Sequence, residues 1–320
     1  MSGSVRKVIT VLGPVEVEAI GFADAHNHLW IGPVAGAPAD APQLTGEAAI
    51  AAELSDYRRA GGSAIVDCQP GGAGRDGRVL ARLSRASGVH VIASTGFHRR
   101  RYYGDHAPLW EQSAAEAAVT LYGEITEGMV ESRDGEEPVR PGVIKIALEA
   151  TLAETPRHLL EAAAAVCRET GYAIEAHTER GASVELFLDY FLDEGVDPRR
   201  LVFCHVDKRP DLALHQSLAE AGVLLEYDTF YRPKYEPETN VWPLLEQMVA
   251  SGYAGSLALA TDMAEPALWQ RLGGGPGLVG LFTEIRPRLE QMGFDAPTMR
   301  QLLGGNIIDR LALPFPPQQG

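Results

Sequence analysis

The sequence predicts an α/β protein, a (β/α)8 TIM barrel with a short N-terminal β-hairpin and C-terminal helices. Three observations predict it. Eight short β-rich runs recur along the 320 residues, and eight strands are the number that closes this barrel. Longer helix-like runs separate them, so the strands pair in parallel, because each parallel crossover needs a helix. The histidines, a lysine and the aspartates best suited to chemistry fall at the carboxyl ends of the runs, the face where this fold builds active sites.

In chain order, residues 1–20 hold two short β-like runs around Gly13-Pro14, read as a hairpin plugging the barrel floor. The barrel is expected over 21–313, with strands at 21–28, 63–69, 90–96, 143–148, 172–177, 201–205, 223–228 and 256–262. Thr45 precedes a helical run that stops at Gly61-Gly62. Thr155 and Pro156 suit the N-cap and first turn of RHLLEAAAAVCRET, and Gly171 suits its end. Asp211 opens a run that stops at Gly222. After the eighth strand come the loop GGGPG, two helical stretches and a Pro-rich tail at 314–320. No linker or low-complexity block divides the chain, so 1–320 reads as one domain.

Composition narrows the partners. With 28 basic and 43 acidic residues the net charge is −15 at pH 7. A field of that sign repels phosphate backbones and anionic lipid heads, which argues against nucleic-acid and membrane partners and leaves a small-molecule substrate. Cys68, Cys167 and Cys204 form no CxxC pair, and an odd count fits no disulfide framework, so a reducing compartment is expected. The start lacks a signal-peptide core, and no run of ~18 apolar residues could span a bilayer. The expectation is a soluble, cytoplasmic protein.

His26 and His28 form an HxH pair at the end of the first strand. Residues two apart leave the same face of a strand, so both point into the barrel mouth, with Asp24 one step deeper. Lys145 is a lone ammonium in the apolar run GVIKIAL; buried and unpaired it costs several kcal/mol, so either its pKa falls or it finds a partner. A neutral amine there suits a Schiff base or a carbamate, while an interior Lys–Glu pair is the plainer alternative. His177 ends the fifth strand, His205 the sixth and Asp262 the eighth. Singly each has an ordinary explanation; together they are six metal-competent or reactive groups on one face. Nitrogen and carboxylate ligands suit Zn²⁺, Mn²⁺ or Co²⁺. His98 and His106, in the loop after the third strand, are candidates to touch a substrate.

The segments TVLGPVEVEAIG, AHNHL, IVDCQPGGAGRD, STGFH, GVIKIA, EAHTERGA, CHVD and ATDM run in the order of the phosphotriesterase family of the amidohydrolase superfamily, and the likeness covers residues 5 to 313. The resemblance implies two divalent metals, usually zinc. His26 and His28, with Asp262, would hold the buried one and His177 and His205 the exposed one. Lys145, as N6-carboxylysine, would bridge them with a hydroxide. It also implies a homodimer and a hydrolytic reaction in which Asp262 accepts the proton. Asp24 is a candidate for fixing His26 or His28, or simply a hydrogen-bond acceptor within the strand.

The substrate-facing loops read GFHRRRYYGDHAPLW, TFYRPKYEPETNVW and MAEPALWQRLGGGPG. The organophosphate-degrading members carry a histidine after the strand-seven aspartate; here Asp228 is followed by Thr229. HTERGA, KYEPE, DMA and GGGPG look most like the lactonase branch, some of whose members open phosphorylated sugar lactones. Glu265 and Pro266 stand where that branch places basic residues. Arg99, Arg100, Arg101, Arg232 and Lys234 could hold an anionic group, and Tyr102, Tyr103, Tyr231, Tyr235 and Trp269 an aromatic wall. The expected substrate contacts are His98, Arg99, Tyr103, Arg232, Lys234 and Trp269. The expected activity is hydrolysis of a lactone or carboxylic ester, with a phosphotriesterase or amide hydrolase as alternatives. A Schiff-base lyase using Lys145 and a non-catalytic binding protein are the readings of another class.

Overall fold

The computed structural model describes residues 5–104, 107–135 and 137–316. Strands β1 (Val5–Thr10) and β2 (Gly13–Glu16) form an antiparallel hairpin. The barrel strands are β3 (Phe22–Asn27), β4 (Gly62–Asp67), β5 (His90–Gly96), β6 (Val143–Ala147), β7 (Ile174–His177), β8 (Leu201–Cys204), β9 (Leu224–Tyr227) and β10 (Leu257–Leu259). Each runs parallel to its sequence neighbour, in the order β3 to β10. Helices α1 (Glu47–Arg59), α2 (Gly77–Ser87), α3 (Ala114–Glu127), α4 (Arg157–Thr170), α5 (Val184–Asp193), α6 (Leu212–Ala221) and α7 (Val241–Ala250) make the crossovers. Three short helices, α8 (Arg286–Gln291), α9 (Ala296–Arg300) and α10 (Asn306–Leu311), precede β11 (Leu313–Phe315). No helix among the described residues is long and apolar enough to cross a membrane.

Local chemistry explains the helix ends. Asp211 accepts from Leu214 N at 3.1 Å and starts α6, and Gly171 and Gly222 end α4 and α6 in left-handed conformation. Thr155, expected as the cap of α4, instead takes Glu149 N on its hydroxyl, and Pro156 stands at the cap without a side-chain bond. Part of the expected tail is ordered: Pro314 and Phe315 in β11 pair antiparallel with β1.

Two apolar layers hold the barrel. One lies between strands and helices, and Leu80, Leu160, Phe187 and Leu245 belong to it. The other fills the lower interior with Ala64, Ile92, Val143, Ala173, Val202, Leu224 and Ala258, and Val8 of the hairpin joins it from below. Along the strands the period of two carries these floor residues up to polar ones: Val143 to Lys145, Ala173 to Glu175 and His177, Leu224 to Glu226 and Asp228. All five of those polar positions fall at or near the carboxyl mouth.

The seam between β10 and β3 is closed largely by side chains. Asp24 accepts from Thr261 N and from Thr261 Oγ1 at 2.6 Å, Asn27 Nδ2 donates to Thr261 Oγ1, and Asn27 Oδ1 accepts from Met263 N. Asp262 N donates to His26 O at 3.0 Å. β10 ends three residues before Asp262, earlier than the expected 256–262 strand.

Gly96, paired with Lys145 across β5 and β6, has φ +108, and a Cβ there would lie 1.9 Å from Lys145 O. Gly96→Ala is therefore expected to destabilise by at least about 1–3 kcal/mol from the backbone conformation alone. Urea denaturation checks it: the midpoint falls with an unchanged slope.

Candidate metal centre

The carboxyl ends of β3, β6, β7, β8 and the segment after β10 bring six predicted residues together. The rings of His26 and His28 are 5.5 Å apart, those of His26 and His205 4.9 Å, and those of His177 and His205 4.7 Å. Asp262 Oδ1 lies 3.7 Å from His28 Nε2 and 3.9 Å from His26 Nε2. Lys145 Nζ, fully buried, lies 3.5 Å from His26 Nε2, 3.5 Å from Glu175 Oε1 and 3.6 Å from Cys204 Sγ. The interior Lys–Glu contact weighed from sequence is thus present.

Each imidazole has one nitrogen close to a side-chain oxygen, as a hydrogen bond in His28 and His177 and as a charge contact without hydrogen-bond alignment in His26 and His205. His28 Nδ1 lies 2.7 Å from Gln69 Oε1, His205 Nδ1 2.7 Å from Asp228 Oδ2, and His177 Nε2 2.9 Å from Glu179 Oε1. His26 Nδ1 faces Glu226 Oε1 at 3.0 Å and Glu175 Oε1 at 3.2 Å. In His28 and His177 the acceptor puts the proton on the bonded nitrogen and leaves a lone pair on the other, the arrangement typical of metal-ligating histidines. Burial, with Lys145 and the other cations nearby, holds His26 and His205 well below the usual histidine pKa and lowers His28 and His177. Neutral imidazoles are what a cation requires. Burial pushes the Asp262 carboxyl up, but His26, Arg232 and His28 outweigh it and hold it below its ordinary value. Ligand atoms of His26, His28 and Asp262 all lie within 4.8 Å of one another. The donor set therefore fits divalent cations.

Asp24 does not reach an imidazole. Buried, and pushed up to about 7 by that burial, it accepts His26 N and Thr261 instead. Several partners escaped sequence reasoning: Gln69, Glu179, Asp228, Glu175 and Glu226. Glu175 and Glu226 had a visible signal, since each is a lone charge in an apolar strand run, as Lys145 is.

A cavity of about 660 Å³ opens over this centre, and His28, His98, His177, His205, Arg232 and Asp262 are among its walls. Lys208, Lys234 and Tyr235 line it too, and the loop 33–43 supplies an apolar side through Val34, Ala37, Pro38 and Ala41. Of the expected substrate contacts, His98, Arg232 and Lys234 face the cavity and three do not. Arg99 is committed to Glu149 and Glu179. Tyr103 is buried, its hydroxyl accepting His98 N at 2.8 Å. Trp269 is fully buried and donates to Met263 O. The aromatic wall reduces to Tyr102 and Tyr235. Arg232 is itself held, by Asp262 O at 2.8 Å and Glu265 Oε1 at 3.0 Å. His106 lies outside the described residues.

Known proteins share this fold. A lactonase from Listeria monocytogenes superposes with TM-score 0.87 at 21% identity, covering 95% of this chain and 98% of its own. An amidohydrolase from Mycoplasma synoviae does so with TM-score 0.87 at 26% identity, covering 98% and 93%. A phospho-furanose lactonase of Mycoplasmopsis synoviae is 30% identical over 93% of this chain and 89% of its own length. The model of the phosphotriesterase family matches residues 6–308, and the chain belongs to that family.

Proposed function

We propose that this protein is a binuclear metal-dependent hydrolase that opens a lactone or carboxylic ester carrying an anionic group. The observation that carries the reading is the ring of four imidazoles around Lys145 and Asp262, with His28 and His177 each hydrogen-bonded through one nitrogen and His26 and His205 each beside a buried carboxylate. His26, His28 and Asp262 would hold one cation and His177 and His205 the other, with Lys145 as N6-carboxylysine joining them. Zn²⁺ suits this nitrogen and oxygen set, and Mn²⁺ or Co²⁺ fit it as well. Two such cations supply Lewis acidity that polarises a carbonyl and makes water acidic enough to attack at neutral pH.

The chain's own residues do the rest. The apolar side of the cavity excludes water around the ring of the substrate. Asp262 takes the proton of the attacking water on a carboxylate oxygen and returns it to the alkoxide that leaves when the ester C–O bond breaks. Arg232 keeps Asp262 aimed through its carbonyl and carboxylate. Lys208 and Lys234, both against the Tyr235 ring at 5.2 and 5.1 Å, supply charge for an anionic group. The name of the Mycoplasmopsis relative favours a phosphorylated sugar lactone among such substrates. Lys145 is fully buried and absent from the cavity wall, which disfavours a Schiff base with substrate. Thr229 stands where the organophosphate-degrading members carry a histidine, and its hydroxyl donates to Asp207 at 2.7 Å. The reading includes a cytoplasmic homodimer; the three cysteines are free and buried.

The test is a screen of metal-loaded protein against sugar lactones with and without phosphate, acyl-homoserine lactones, aryl esters, N-acyl amines and paraoxon. Turnover confined to amides or to paraoxon overturns the lactone reading. Lys234→Met is expected to raise KM for a phosphorylated lactone by about 10- to 100-fold, the worth of a charged hydrogen bond. The KM of its unphosphorylated counterpart should not move; equal rises for both would show that Lys234 does not meet the anion.

A further inference from the structure

We propose that Arg99 is a positioning residue of the more exposed cation site, holding His177 through Glu179; the inference rests on the metal-centre reading above. Arg99 follows β5 and reaches across the mouth to the segments after β6 and β7. Its Nε and Nη2 donate to the two oxygens of Glu149 at 3.1 and 2.8 Å. Its Nη1 donates to Glu179 Oε1 at 2.7 Å, and the same oxygen lies 2.9 Å from His177 Nε2. One carboxylate oxygen has two lone pairs, so it accepts from the guanidinium and the imidazole together. The planar fork of arginine spans both carboxylates, which a point charge on a flexible stem does not.

Exposure explains why this histidine needs a brace and the others do not. The carboxylates beside His26 and His205 are fully buried and Gln69, which serves His28, is 4% exposed. The side chain of Glu179 is 31% exposed. Freed of Arg99, it can swing into water and leave His177 able to turn about its ring torsion. The lone pair on Nδ1 would then no longer point at the centre. Arg99 thus joins three loops, after β5, β6 and β7, into one strap behind a single imidazole.

The test compares wild type, Arg99→Met and Arg99→Lys after loading with Co²⁺, with circular dichroism to confirm folding. Metal per chain is followed during chelator titration, along with the visible Co²⁺ spectrum. Arg99→Met should lose one of two ions at about 10- to 100-fold lower chelator concentration, the usual cost of an outer hydrogen-bond partner. The second ion should be held as in wild type, part of the spectrum should change, and Arg99→Lys should fall between the two. Glu179→Gln, which keeps an acceptor for His177 but loses the charge that holds Arg99, should weaken the same ion and serves if Arg99→Met does not fold. Two ions bound with wild-type affinity and spectrum in these variants overturn the inference alone. Fewer than two ions in wild type overturn the metal-centre reading and this inference with it.

Discussion

Asp262→Asn is expected to lower kcat for ester hydrolysis by about 10²- to 10⁴-fold, the range a positioned proton acceptor contributes. The substitution keeps shape and removes basicity. The backbone tolerates it: Asp262 sits at φ 45, and asparagine shares with aspartate the ability to adopt that left-handed conformation. Its peptide anchors, from Asp262 N to His26 O and from Arg232 to Asp262 O, are kept, and only the longer Arg232 contact to Asp262 Oδ2 at 3.4 Å meets the changed group. Stability should therefore change little while turnover collapses. Because Asp262 is also a candidate ligand, metal content is measured beside kcat. A variant that keeps both ions and loses turnover isolates the proton step. Turnover equal to wild type with both ions bound removes Asp262 from the mechanism.

Much of this site was legible because charge is conspicuous in apolar strands. Lys145 inside GVIKIAL, and histidines closing YAIEAH and LVFCH, stand out where a barrel strand otherwise packs, and the period of two assigns them a face. Eight strands were legible for the same reason, since each is a short apolar run bounded by helix signals. Side-chain direction beyond a strand end was not. Sequence places Arg99, Tyr103 and Trp269 on mouth loops, but whether they face the cavity depends on which partner each side chain meets. Arg99 found Glu149 and Glu179, and Trp269 found Met263. The seam has the same character: Asp24 reads as a neighbour of the HxH pair, yet its partner Thr261 lies 237 residues away. Long-range pairing also turned two residues of the expected tail into β11.

Arg75→Met is expected to cost about 3–5 kcal/mol of stability at pH 7, the usual result of stripping one partner from a buried ion pair. The Arg75 side chain is fully buried and binds Glu124 at 2.5 and 2.9 Å, Glu131 at 2.7 and 2.9 Å, and Ser94 O at 2.7 Å. It ties the segment between β4 and α2 to β5 and α3. Gln69, at the start of that segment, orients His28, so the loss should also weaken metal retention. The pH dependence has a definite sign. In the native protein burial pushes Glu124 up, but the charge and hydrogen bonds of Arg75 outweigh it and hold the carboxyl below its usual value. That contribution is present above the unfolded pKa and is lost as pH falls through the folded one. Without Arg75 burial prevails, Glu124 rises above its unfolded pKa, and its contribution is lost as pH rises instead. The stability gap between wild type and Arg75→Met should widen from pH 4 to pH 7. Adding Glu124→Leu should recover a large share of the loss, because an apolar replacement removes the stranded charge. Urea denaturation of the two variants at both pH values decides it. A gap that stays constant with pH would mean that Arg75 acts by packing alone.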